Sequence, residues 1–185
     1  TEYTPLYREI LERDSSYSVM NATISAFGKA DMKEAMLVAE KYENDKHLLY
    51  SVLKLYKDNA DESKADIFVK NYDGASAGER WQMVNYYSDY IMRFHDMKML
   101  DDALVTFEKA GLGENPWWLK LTSMRALDKI NEYYEADKNE LDSGKASDKI
   151  ALLEKMQEKI KALMAKIKAK ETDEKLLERY EKMGF

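Results

Sequence analysis

Residues 15 to 42 run Ser15-Ser16-Tyr17-Ser18-Val19-Met20-Asn21-Ala22-Thr23-Ile24-Ser25-Ala26-Phe27-Gly28-Lys29-Ala30-Asp31-Met32-Lys33-Glu34-Ala35-Met36-Leu37-Val38-Ala39-Glu40-Lys41-Tyr42. Tyr17, Met20, Ile24 and Phe27, with Val19 beside them, recur at the three- and four-residue spacing that gathers side chains on one face of an α-helix. Ser15 reads as the N-cap of that helix, because a serine hydroxyl can accept a first-turn amide that has no partner inside the helix. Gly28 to Asp31 reads as its stop and as the cap of a second helix, which turns Met32, Ala35, Met36 and Ala39 inward. Two antiparallel helices joined by a short turn make a helical hairpin.

The same grammar extends in both directions. Upstream, a short helix runs from Pro5 through Leu6, Ile10 and Leu11 and ends near Asp14. Downstream, Asp45 opens a helix carrying Leu48, Leu49, Val52, Leu53 and Tyr56, and Asp61 opens a shorter one with Ile67, Phe68 and Tyr72. After the loop Asp73-Gly74-Ala75-Ser76, Trp81, Val84, Tyr87, Ile91 and Phe94 form one stripe; the chain turns at His95-Asp96 into Leu100, Leu104 and Phe107, ending at Gly111 and Gly113. Asn115 caps a fourth start, Pro116 takes the first helical position, and helical text continues to about Leu141.

Pairs therefore begin near residues 15, 45, 76 and 115, a spacing of the kind found in helical-hairpin repeats. Ser15-Ser16-Tyr17-Ser18-Val19 lies over Asn115-Pro116-Trp117-Trp118-Leu119 at an offset of one hundred, and the register continues as Ile24 on Met124, Ala26 on Ala126 and Phe27 on Leu127. The expected fold is an all-α superhelix, a solenoid of antiparallel helix pairs of HEAT-like or armadillo-like kind. Residues 1–144 form the repeats, and residues 145–185 supply C-terminal capping helices of the same domain. That terminal stretch follows Asp142-Ser143-Gly144, with Ser147 capping a long helix and Thr172-Asp173 a short final one.

Composition agrees with helices and removes several functions. Gly and Pro number only 7 and 2 in 185 residues, too few for the tight turns of an all-β chain. With no Cys there is no disulfide framework, thiolate nucleophile or Cys-ligated metal. A net charge of −6 disfavours general phosphate binding, so no nucleic-acid partner is expected. No apolar run is long enough to span a membrane. The chain reads as soluble, cytoplasmic or periplasmic, and Thr1 in place of an initiator Met reads as a processed or cut start. The charge is uneven: residues 145–185 hold 11 basic and 8 acidic side chains, so the rest carries a nine-charge acidic excess. Six lysines (Lys155, Lys159, Lys161, Lys166, Lys168 and Lys170) flank the apolar stripe of the long terminal helix, as a solvated outer face or as a surface for an acidic partner.

Chemistry is hard to place in this sequence. His47 and His95 are the two histidines, and no His-Glu-x-x-His run exists to put two imidazoles one turn apart on a metal. His95 sits beside a turn, as solvated or capping histidines do. Gly111-Leu112-Gly113-Glu114 lacks the Lys-Ser/Thr and the preceding strand of a phosphate cradle and reads as a helix stop. No catalytic and no metal-binding residue is assigned, and no cofactor is expected in this chain. Aromatics carry more information: 13 Tyr, 5 Phe and 3 Trp, many of them in the first helix of a pair. Such side chains fill seams between repeats or line a groove that holds a peptide. Trp81 and Trp117 fall on the apolar stripes, which leaves Tyr86, Tyr90 and Trp118 as candidate groove contacts.

The stretch from Ser15 to Asp31, followed by Lys33-Glu34-Ala35 and Ala39-Glu40-Lys41-Tyr42, resembles the C-terminal helical-repeat domain of aminopeptidase N-type zinc metallopeptidases, particularly bacterial ones. Asn115-Pro116-Trp117-Trp118-Leu119-Lys120 to Arg125-Ala126-Leu127 is similar to a second such repeat, so the resemblance covers residues 15 to about 130. It implies a non-catalytic domain that packs on the catalytic domain of the same polypeptide and walls the peptide-substrate chamber. The zinc of the parent enzyme, its His-Glu-x-x-His helix and its Gly-x-Met-Glu-Asn substrate motif would lie outside this chain. The acidic excess of residues 1–144 would then favour basic peptides. The alternative from the residues themselves is a free-standing helical-repeat scaffold that binds a protein or peptide partner.

Overall fold

The computed structural model describes residues 2–141 and 146–184. The expected loop at Asp142-Ser143-Gly144 lies outside them. Among the described residues there are ten α-helices, two single 3₁₀ turns and no strand, so the all-α expectation holds. The chain divides into two compact units, Thr1–Phe68 and Val69–Phe185. The sequence reading placed no boundary there, because the division falls inside a short helix rather than in a Gly-, Pro- or Ser-rich linker.

The first unit contains α1 (Thr4–Arg13), α2 (Tyr17–Ala30), α3 (Met32–Ala39), which runs on into a 3₁₀ turn, and α4 (Leu49–Asn59), followed by the start of α5 (Ala65–Lys70). α2 packs on α1, α3 and α4, and α3 packs on α4. Asp31 is the corner: it ends α2, and its carboxylate accepts the Glu34 amide at the start of α3. Leu11, Ile24, Phe27, Leu53 and Tyr56 are buried between these helices. α2 ends within the expected Gly28-to-Asp31 stretch, at Ala30, and Gly28 is not itself the stop. It lies inside the helix, where an added Cβ would stand 2.6 Å from Leu55 Cδ1 of α4.

Around Tyr56 the unit closes with charge. The Tyr56 hydroxyl donates to Glu43 Oε1 at 2.6 Å, and the Lys64 ammonium reaches Glu40 and Glu43, each at 2.8 Å. Burial pulls the Lys64 ammonium toward the neutral form, but its bonds to Glu40 and Glu43 outweigh that and hold it above its ordinary value.

The second unit contains α6 (Ala77–Ile91), α7 (Met97–Leu112), α8 (Trp117–Glu140), α9 (Ser147–Lys170) and α10 (Glu174–Lys182). α6 packs on α7 and α8, α7 on α8 and α9, and α8 on α9 and α10. The starts follow sequence logic. Ser76 and Glu79 form a reciprocal capping box, and Asp96 and Asp173 accept first-turn amides of α7 and α10. Asn115 behaves differently from expectation. Its side-chain amide donates to the Lys109 and Ala110 carbonyls, so it closes the end of α7, while Pro116 stands at the N-cap of α8. α7 ends at Leu112 with Gly113 at its C-cap, as expected, and Gly111 is buried inside the helix under Ile167 of α9.

Contacts between alternate helices fix their direction. In the first unit the Tyr17 ring stacks on His47, Ser51 Oγ donates to Asn21 Oδ1, and Gly28 meets Leu55, so the two chain positions rise together and α2 and α4 are parallel. In the second unit Lys129 pairs with Asp89, and Tyr134 donates to the Phe94 carbonyl, both forty residues apart, so α6 and α8 are parallel. Lys159 with Asp101 and Lys166 with Glu108, both fifty-eight residues apart, set α7 parallel to α9.

Candidate functional site

The three groove candidates lie on α6 and α8. Tyr90 is fully enclosed, with its ring 5.1 Å from that of Phe94 and 6.4 Å from that of Tyr87, so it is a core residue and offers no surface to a ligand. Tyr86 and Trp118 are half-buried. The forty-residue register between α6 and α8 sets Tyr86 beside Ala126, some eight residues or about 12 Å along the axis from Trp118. The three residues therefore do not form one contact surface.

Two aromatics assigned to the core face outward instead. Trp81 is 44% exposed and Trp117 48%. The reason is the width of the buried arc. Both α7 and α8 pack on α6, which covers Met83 and Tyr90 as well as Val84, Tyr87 and Ile91, and this rotates the centre of the buried face away from Trp81. Periodicity locates a stripe but does not count the neighbours that will cover it. Trp117 is the first residue of α8, where a side chain leaning toward the N-terminus has no preceding turn to lie on. Instead the Arg179 guanidinium of α10 covers its ring at 4.4 Å, above a shallow cleft of about 190 Å³ bordered by Asp173, Lys175 and Leu176.

The terminal lysines are less free than their sequence suggests. Lys159 and Lys166 pair with Asp101 and Glu108 of α7, each at 2.5 Å. This basic helix is matched to an acidic neighbour, which accounts for part of the charge asymmetry along the chain. Glu171, between α9 and α10, accepts from Lys120 Nζ at 3.0 Å and from the Thr172 and Asp173 amides at 2.9 and 3.0 Å. Burial opposes its charge, but these donors hold its carboxyl below the ordinary carboxylate range.

His95 is not simply solvated beside its turn, because its Nε2 pairs with Asp137 Oδ2 at 2.5 Å and Lys149 stands 3.8 Å from the same oxygen. His47 is exposed beneath the Tyr17 ring, 4.3 Å between centroids. Burial raises the hydroxyls of Tyr56, Tyr134 and Tyr180 and pushes Tyr72 up to about 12, which keeps all four protonated. Among the described residues no group of three or more His, Asp or Glu side chains is placed to hold a metal ion. Among the described residues no helix is long and apolar enough to cross a membrane. No family model, no curated protein and no solved structure matches the chain.

Proposed function

We propose that the chain is a helical-hairpin scaffold that binds a protein or peptide partner and contributes surface rather than chemistry. The observation that carries this reading is the parallel, in-register placement of alternate helices, which in each unit puts first helices beside first helices as hairpin stacking requires. Contacting residues of α2 and α4 are thirty apart and those of α6 and α8 forty, close to the separations of the corresponding helix starts in the sequence. A HEAT-like or armadillo-like superhelix is the finer form of this proposal.

The resemblance at residues 15–42 and 115–127 supplies a specific partner. On that reading the scaffold is the C-terminal domain of a zinc-dependent aminopeptidase, packs on the catalytic domain of the same polypeptide and walls its peptide chamber. The helix starts at Tyr17 and Trp117, one hundred residues apart, favour it. An antibody against this chain, used on lysate of the source cells, tests it. A band several times 21.6 kDa that co-purifies with chelator-sensitive aminopeptidase activity is expected. A native band near 21.6 kDa without that activity would leave the free-standing scaffold.

A further inference from the structure

On the first unit an apolar track turns the corner from α2 to α3. One part, about 320 Å³, lies between α2 and α4 over Ile24, Gly28, Met32 and Leu55. A second part, about 560 Å³, lies between α3 and the end of α4 over Met32, Met36, Leu37 and Ala60. The two share Met32 and Asn59 and so form one continuous surface. Leu37 is 54% exposed on it. Methionines make such a floor adaptable, because an unbranched thioether can repack around different side chains.

The charges along this track are unbalanced in one direction. Its acids are engaged: Asp58 by Lys57, Glu40 by Lys64, and Asp61 by the amide and hydroxyl of Ser63. Its other lysines, Lys29, Lys33 and Lys54, have no carboxylate partner among the described residues. The unit as a whole holds thirteen acidic and nine basic side chains up to Phe68, so the track is a cationic strip on an acidic body. A strip of that kind attracts an acidic segment that the rest of the unit repels.

We infer that this track is a docking site for an acidic peptide segment with aliphatic or aromatic anchors, the anchors seated over Met32, Met36 and Leu37 and the carboxylates on Lys29, Lys33 and Lys54. The inference rests on the scaffold reading and names one site and one class of partner for it. It is opposite in sign to the preference for basic peptides that the acidic excess of the chain suggests.

Fluorescence anisotropy on the whole chain tests it, with a labelled peptide in which Glu alternates with Leu and Phe and a second in which Lys replaces each Glu. Lys29→Glu/Lys33→Glu/Lys54→Glu changes only exposed side chains, and its circular dichroism checks that it folds. The acidic peptide is expected to bind, to weaken with added salt, and to lose about tenfold or more in affinity in the triple variant. In spectra of methyl-labelled methionine, Met32 and Met36 are expected to move. Acidic-peptide binding that is unchanged in the triple variant and moves other methionines would overturn this site while leaving a binding scaffold. Failure of both peptides to bind would overturn the site and count against the scaffold reading as well.

Discussion

Two glycines show how much a single residue decides and how little of it was visible beforehand. Gly28 and Gly111 lie in the stretches read as helix ends, and α2 and α7 do end there, at Ala30 and Leu112, yet each glycine is interior to its helix at a close approach of a parallel neighbour. Sequence shows that a residue lacks a Cβ but not that another helix occupies the space. The two sites differ in consequence. At Gly111 a Cβ would meet Ile167 Cδ1 at 2.6 Å and Cγ1 at 3.0 Å, with Ser123 Oγ at 3.3 Å fixed by its bond to the Phe107 carbonyl. At Gly28 the one close atom is a terminal methyl of Leu55, which can rotate aside. Alanine gains about 1 kcal/mol of helix propensity at either position, against an overpacking cost of about 1–3 kcal/mol where the neighbours cannot yield. Gly111→Ala is expected to lower stability in urea unfolding and Gly28→Ala to leave it nearly unchanged; equal losses would contradict the packing described. Glu171 gives a second prediction at this scale. Glu171→Gln is expected to cost about 1–3 kcal/mol at neutral pH, because a carboxylate with three donors is replaced by an amide. Since the folded carboxyl titrates below its ordinary value of 4.5, its stabilisation is complete above that pH and is lost as pH falls through the lowered value. The gap between native and variant unfolding should close on acidification below pH 4.5, and a gap independent of pH would refute the assignment.

The helices themselves were largely legible. Asp31, Asp61 and Asp173 cap the elements they were expected to open, because an oxygen acceptor at a helix start answers a local need, and Ser76 and Asp96, read only as loop and turn residues, do the same; Ser15 and Ser147 do not, since Ser16 and Ala146 hold those N-cap positions. Asn115 was misplaced by the same logic, since its amide serves the preceding helix end as readily as the following start. Faces were harder to read. Tyr90 is buried, and Trp81 and Trp117 are exposed, in each case because burial depends on how many neighbours cover a helix and where the helix begins. The α7–α9 pairing is the element-scale test. Asp101→Lys and Lys159→Asp should each weaken the fold by a few tenths of a kcal/mol to about 1 kcal/mol, and the double exchange should recover most of the loss at low salt. Additive losses in the double variant would mean that the two side chains do not meet.

At the scale of the molecule, the all-helical class was readable, whereas the division at Phe68 was not, because it interrupts helical text without changing composition. The second unit has its own core, with Tyr87, Phe107, Leu127, Tyr134 and Ile160 fully buried. Residues 69–185 expressed alone are therefore expected to unfold cooperatively with a near-ultraviolet aromatic signal, and a gradual transition without that signal would contradict an independent core. The central claim is that alternate helices stack parallel and in register. The absence of cysteine makes a direct test possible, since any introduced pair is the only pair. Asn21 Oδ1 and Ser51 Oγ are 2.6 Å apart on α2 and α4, and at Asn21→Cys/Ser51→Cys oxidation should form an intramolecular disulfide with helicity retained. Asn21→Cys/Asp58→Cys, which an antiparallel pairing would bring together, should stay reduced; the reverse outcome, with 21 and 58 joined and 21 and 51 free, would contradict the stacked-hairpin account.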